Sequence, residues 1–187
     1  MSRIILASQS PRRKQLMEAA ELQFEIIIAD VDETNPPGMP GNEVPVFLAR
    51  KKAAAIAGKV QDQIIVAADT VVLLDTEILG KPADEADACA MLQKLQGRPH
   101  QVVTGVCIRQ GEKEHSFSVV TEVFFRPLTP AQIEHYVASY KPYDKAGAYA
   151  IQEWIGMIGI ERINGDYYNV MGLPIGEVVL ALKEFGQ

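Results

Sequence analysis

The sequence predicts an α/β protein built on a mixed β-sheet, and three observations carry that prediction. Short strand-like apolar runs alternate with helical patterns through the first half of the chain, as crossover connections between parallel strands require. The run Ile64–Leu74 is apolar almost throughout, the signature of a strand covered on both faces. From His100 to Arg126 the pattern is β on both sides of the polar turn Gly111-Glu112-Lys113, which reads as a long hairpin and therefore as antiparallel pairing. With 187 residues, 48% hydrophobic and 22% charged, the chain fits one domain spanning residues 1–187.

The elements follow in order. Arg3–Ala7 reads as a buried strand, and Ser10 caps a helix over Pro11–Ala20 with proline at its first position. Phe24–Ala29 reads as a second strand. Asp30–Asn42, with three prolines and two glycines, is a long irregular loop of the kind that serves function. A helix over Pro45–Ala57 precedes the Ile64–Leu74 strand, and Asp84 caps a helix to Leu95, closed by Gly97. After the hairpin, Thr129-Pro130-Ala131-Gln132 is a capping box opening a helix to Ser139. Ile158–Ile163 reads as a strand and Pro174–Phe185 as a closing helix.

Composition excludes several function classes. A net charge of −6 leaves no overall basic surface, which argues against a nucleic-acid partner and requires that any anion site be local. No apolar run approaches the roughly 20 residues that span a bilayer, and MSRIILASQS lacks the pattern of a secretory signal, so a cytoplasmic protein without membrane contact is expected. Cys89 and Cys107 form no CxxC and stand at no metal-ligand spacing with histidine, so both read as small buried hydrophobes. No GxxxxGK[ST], GxGxxG or Gly-x-Ser-x-Gly pattern occurs, which removes the common nucleotide folds and the hydrolase nucleophile elbow.

Three local features do not fit a bland fold. Arg12 and Arg13 fall in the first turn of a helix, where the macrodipole disfavours each cation by about 0.3–1 kcal/mol. An anion held by the free N–H groups and the two guanidinium forks would remove the misfit; a solvated basic turn is the alternative. Asp69 interrupts the apolar strand, and a carboxylate there needs an ion-pair partner, a metal, or a role as general base. On the helix over 45–57, Val44, Phe47, Leu48, Ala55 and Ile56 mark the apolar side, with Lys51 and Lys52 within or beside it. The helical wheel alone leaves open which lysine points inward. Three weaker groups accompany these: Gly80-Lys81-Pro82, the charged pair Asp144-Lys145 in a glycine-containing loop, and Asp32 and Glu33 in the long loop.

The motifs Leu6-Ala7-Ser8-Gln9-Ser10-Pro11-Arg12-Arg13, Leu48-Ala49-Arg50-Lys51-Lys52-Ala53 and Ala68-Asp69-Thr70-Val71-Val72 occur in that order. Gly80-Lys81-Pro82, His100-Gln101-Val102-Val103-Thr104-Gly105, Asp144 to Gln152 and Asn169-Val170-Met171-Gly172-Leu173-Pro174 follow them. Through nearly its whole length the sequence resembles the Maf family of nucleotide pyrophosphatases, also called septum-formation-inhibitor-like proteins. The resemblance implies an inosine-triphosphatase-like fold of two lobes around a central cleft, a homodimer, and dependence on a divalent metal. It marks Asp69 as the proton acceptor and Lys52, rather than Lys51, as the inward lysine, with Ser8, Arg12, Arg13, Lys81 and Lys145 on the phosphate side. Arg12, Thr70 and Gln152 fall where the dTTP/UTP branch sets substrate choice, and Ala150 departs from the glycine common there.

The expected activity is hydrolysis of dTTP and UTP to the monophosphate and pyrophosphate. Mg²⁺ or Mn²⁺ is expected on Asp69 and the triphosphate, with Glu33 or Asp32 as a further ligand, while Asp69 directs water onto the α-phosphorus. Arg12, Arg13, Lys52 and Lys81 are expected to hold the phosphate tail. The alternative is a nucleotide-binding regulator of cell division that does not turn over its ligand.

Overall fold

A computed structural model describes residues 3–187. In chain order the elements are β1 (Ile4–Leu6), α1 (Pro11–Ala19), β2 (Phe24–Ile26), α2 (Val44–Ala57), β3 (Ile64–Leu74), β4 (Glu77–Leu79) and α3 (Glu85–Leu95). There follow β5 (Pro99–Gln110), β6 (Lys113–Phe125), α4 (Pro130–Tyr140), α5 (Trp154–Gly159), β7 (Ile160–Asn164), α6 (Tyr167–Met171) and α7 (Ile175–Leu182). The strands form one sheet in the order β2-β1-β3-β5-β6-β7, with β4 paired to β3. It is mixed as expected: β1 runs parallel to β2 and β3, whereas β3–β4 and β6–β7 are antiparallel.

The chain divides into two compact units. The first comprises the residues up to Thr70, Thr104–Val119 and Gly172–Gln187; the second comprises Val71–Val103 and Val120–Met171. In the first, Ala49, Ala53 and Ile56 of α2 pack with Ile5, Ala7, Ile65, Ala67 and Cys107. Small residues dominate that contact, so helix and sheet backbones approach closely. Gly105 shows how closely: a Cβ there would stand 2.2 Å from Val46 N and 2.3 Å from the Pro45 carbonyl carbon. In the second, Leu92 and Leu95 of α3 and Ile133, Tyr136 and Val137 of α4 pack with Val102, Val123 and Phe125.

The capping chemistry read from the sequence is present. Ser10 accepts from Arg13 N, Asp84 accepts from Asp87 N, and Thr129 and Gln132 close a full capping box. Residues 30–43 contain turns but no helix or strand. On α2 the buried side is Val44, Pro45, Leu48, Ala49, Lys52, Ala53 and Ile56; Phe47 is only half-buried and Ala55 is exposed, so the apolar stripe is rotated from the expected one.

Three short elements were not expected: β4, α5 and α6. Each is six residues or fewer, too short for a hydrophobic period to register. The second expected strand ends at Ile26 and the one expected from Ile158 begins at Ile160, because Ile158 and Gly159 complete α5. Both cysteines are free; Cys107 is fully buried as expected, whereas Cys89, on α3, is only partly buried against the expectation that both are buried. Among the described residues no helix is long and apolar enough to cross a membrane.

Candidate functional site

In the first unit the anomalous acid has a partner. Lys52 lies on the buried stripe of α2, 8% exposed, and its ammonium donates to Asp69 Oδ1 at 2.6 Å. Glu33, from the long loop, reaches the same ammonium at 2.8 Å. Asp69 is therefore a paired carboxylate and not an isolated one, which is how β3 tolerates it. Oδ2 of Asp69 accepts no hydrogen bond from the described residues. Lys51, one residue away and turned outward, instead donates to the Asp32 carbonyl and lies 3.8 Å from its carboxylate. The Asp32 carboxylate accepts from Thr34 N at 2.9 Å and Thr34 Oγ1 at 2.6 Å. Those hydrogen bonds hold its pKa below the ordinary aspartate value. Of the two loop acids, then, Asp32 closes its own turn and Glu33 joins Asp69.

Arg13 is the hub of the same unit. Its Nε donates to the Gly172 carbonyl at 2.8 Å and its Nη2 to Thr70 Oγ1 at 3.0 Å. Nη1 donates to the Ala68 carbonyl at 2.9 Å and Ser8 Oγ at 3.3 Å. Four of its five N–H donors are thus engaged by protein, leaving one on Nη2 for a ligand. The cation at a helix N-terminus is accommodated here by two carbonyl oxygens and two hydroxyls, so the misfit does not by itself require an anion. Burial lowers the Arg13 pKa, with Asp69 and Glu33 acting against that shift and Arg12 adding to it. Ser8, 8% exposed, also accepts from Ser10 N, and Arg12 is half-buried in the same turn.

The second unit holds Lys81, Lys145 and Gln152. Lys145, 8% exposed, lies 2.8 Å from Asp144 Oδ1 and 3.5 Å from Glu153 Oε1. The buried Tyr136 hydroxyl donates to Glu153 Oε2, and burial with that carboxylate drives the phenol pKa upward. Gly147 and Ala148 both adopt left-handed backbone, φ +68° and +58°. A Cβ at Gly147 would stand 2.9 Å from Val72 Cγ2, and its N–H donates to the Gly80 carbonyl, so the segments bearing Lys81 and Lys145 are joined there. The next residue, Tyr149, pairs its hydroxyl with His100 Nε2 at 2.7 Å in a buried contact. Lys81 and Gln152 are exposed and have no side-chain partner among the described residues.

The structure thus forms two bonded groups in the first unit, Ser8–Arg13–Thr70 and Glu33–Lys52–Asp69, which meet at the adjacent residues Asp69 and Thr70 of β3; Lys81, Lys145 and Gln152 lie in the second. Sequence reasoning gave no role to Thr104, Gly172, Glu153 or His100. Thr104 and His100 carried a signal, since both are polar residues in an apolar strand run, and each proves fully or nearly fully buried. Among the described residues no three His, Cys, Asp or Glu side chains are grouped to hold a metal ion.

A family model described as Maf-like protein matches residues 3–185. The chain is 48% identical to a dTTP/UTP pyrophosphatase of Cytophaga hutchinsonii over 97% of this chain and 83% of that protein. It is 47% identical to one of Phocaeicola vulgatus, over 97% of this chain and 95% of the relative. A dTTP/UTP pyrophosphatase of Porphyromonas gingivalis is 48% identical over 99% and 95% of the two chains. Among solved structures, the Staphylococcus aureus Ham1 protein superposes with a TM-score of 0.53 at 16% identity, covering all of both chains. A HAM1 protein from Coxiella burnetii gives 0.51 at 17%, over 98% of this chain and all of that one. At such identities the likeness is one of fold.

Proposed function

The chain belongs to the Maf-like protein family, and from that premise we propose that it hydrolyses dTTP and UTP to the nucleoside monophosphate and pyrophosphate. The observation that carries the reading is Asp69, a carboxylate set into an apolar strand with one oxygen fixed by Lys52 and the other without a donor among the described residues. Unless a metal ion is held there, a pure binder of an anionic triphosphate gains nothing from an acid at its site. A hydrolase needs one, because attack on the α-phosphorus requires that water be oriented and its proton accepted. In this reading Asp69 Oδ2 accepts that proton.

Glu33 and Asp69 reach one ammonium, so two hard oxygen donors converge, and the pair suits Mg²⁺ or Mn²⁺ completed by triphosphate oxygens and water. Bound there, such a cation would polarise the phosphoryl oxygens. Lys52 keeps the two carboxylates together and neutralises part of their charge toward an anionic substrate. In the first unit Arg12 and the remaining N–H of Arg13 supply cations for the phosphate tail. In the second, Lys81, Lys145 and the exposed Gln152 are the residues that the family resemblance assigns to the substrate. We read the protein further as a cytoplasmic homodimer, on the strength of the family.

Chromatography of the products formed from UTP, dTTP, CTP, ATP and GTP tests the reading in one experiment. UMP and dTMP with pyrophosphate are expected. Release of orthophosphate, or equal turnover of all five nucleotides, would overturn it.

A further inference from the structure

Resting on the pyrophosphatase reading above, we propose that Thr104 is a positioning residue for Asp69, acting through Thr70 and Arg13. Thr70 follows Asp69 in β3, and its hydroxyl has three contacts. Arg13 Nη2 lies at 3.0 Å, Thr104 Oγ1 at 2.9 Å and the Gly172 carbonyl oxygen at 3.3 Å. A hydroxyl has one proton and two lone pairs. Arg13 can only donate and the carbonyl can only accept. All three contacts are satisfied when Thr104 donates to Thr70 and Thr70 donates to Gly172. That arrangement fills the hydroxyl's capacity and ties Thr70 to α1, β5 and Gly172 at once.

The guanidinium that fixes Thr70 also takes the Ala68 carbonyl at 2.9 Å. The residues on both sides of Asp69 are therefore pinned by one planar group. Thr104 anchors this lock from β5, where it is 0% exposed within the apolar run Val102–Ile108, a place where a hydroxyl is costly unless hydrogen-bonded. Its neighbour Gly105 is the residue on which the Pro45–Val46 backbone of α2 rests, and α2 carries Lys52. One dipeptide thus refers both members of the Asp69–Lys52 pair to the same point of the sheet: the strand through Thr70, the helix through Gly105.

The test uses Thr104→Val, which keeps shape and removes the hydroxyl, with Thr104→Ser, Thr70→Val and the double valine variant. Thr104→Val is expected to lower kcat for UTP at least about fivefold, the worth of one neutral hydrogen bond, while KM moves less than about twofold. Amide hydrogen exchange across residues 64–74 should quicken, Thr104→Ser should restore both readouts, and the double variant should be no worse than Thr70→Val alone. If Thr104→Val does not fold, Thr70→Val breaks the same lock from the other side and must quicken the same exchange with at least as large a loss, since it also removes the Arg13 and Gly172 contacts. Unchanged kcat and exchange, or effects of the two valines that simply add, would overturn the proposal. A wild-type chain that leaves UTP and dTTP intact would instead remove the assigned activity, and the exchange comparison would then decide the lock alone.

Discussion

Lys52 Nζ lies 2.6 Å from Asp69 Oδ1, in a pair whose side chains are 10% and 14% exposed. A carboxylate so placed can be neutralised without stranding its partner, because Glu33 holds the same ammonium at 2.8 Å. Asp69→Asn is accordingly expected to fold, to keep nucleotide binding by calorimetry, and to lose at least about a hundredfold in turnover. Retained turnover would move the proton acceptor to Glu33. Lys52→Met is the more damaging change for stability. It leaves two carboxylates facing each other and should cost on the order of 2–3 kcal/mol in urea unfolding, reduced from the cost of a fully buried pair because Glu33 is half exposed.

Arg13 separates ligand binding from scaffolding. Its position in the first turn of α1 suggests that removal relieves the helix dipole, yet its four hydrogen bonds reverse that sign. At about 1 kcal/mol each, less about 0.5 kcal/mol of dipole relief, Arg13→Ala should destabilise by about 3.5 kcal/mol. Arg13→Lys should recover little of it, since one ammonium cannot reproduce a planar fork that reaches Gly172, Ala68 and Thr70 together. Thermal unfolding of the two variants measures this directly; a melting temperature at or above the parent's would show that the hydrogen bonds carry no net stability.

How much of this was legible in the sequence depends on range. Local chemistry was: the caps at Ser10, Asp84 and Thr129 depend on residues three apart, and the anomaly of Asp69 depends only on its apolar neighbours. The choice between Lys51 and Lys52 was not legible from the wheel, since the two lie about 100° apart and the buried stripe is rotated from the one the apolar residues mark, with Phe47 and Ala55 outside it. The donors of Arg13 were equally hidden, because its partners stand 5, 55, 57 and 159 residues away. Resemblance to a family named Arg13 and Thr70 as site residues; only the geometry says that they hold each other.

His100 predicts how stability responds to acid. It is 3% exposed, edge-on to Phe125 and Tyr149, and burial lowers its pKa from 6.5 to about 4. Above pH 6.5 the ring is neutral in both folded and unfolded chains, and stability is unaffected. Between 6.5 and 4 the unfolded chain takes up a proton that the folded one refuses, so stability falls as pH falls; below about 4 both forms carry it and the loss is complete. The gap corresponds to about 3 kcal/mol. His100→Gln keeps a partner for the Tyr149 hydroxyl but cannot titrate. Urea midpoints between pH 7 and pH 4 should therefore drop more steeply in the parent than in the variant, and parallel curves would contradict the assignment.

Gln152 makes the last prediction, which concerns the base. It ends a segment that begins at Lys145 and is set in place by the left-handed turn at Gly147 and Ala148 and by the Tyr149–His100 hydrogen bond. Its own carboxamide has no side-chain partner among the described residues, so its donor and acceptor are available to a ligand. Uracil and thymine present an acceptor–donor–acceptor edge, and one carboxamide can serve the N3–H donor and the O2 acceptor of that edge; cytosine presents two acceptors there. Gln152→Ala should lower kcat/KM for UTP and dTTP by about tenfold while leaving CTP nearly unchanged, so that the UTP-to-CTP ratio collapses. Because the residue is exposed and unbonded, melting temperature should not move. A variant that lost activity equally on all three nucleotides would place Gln152 on the phosphates or the sugar and not on the base.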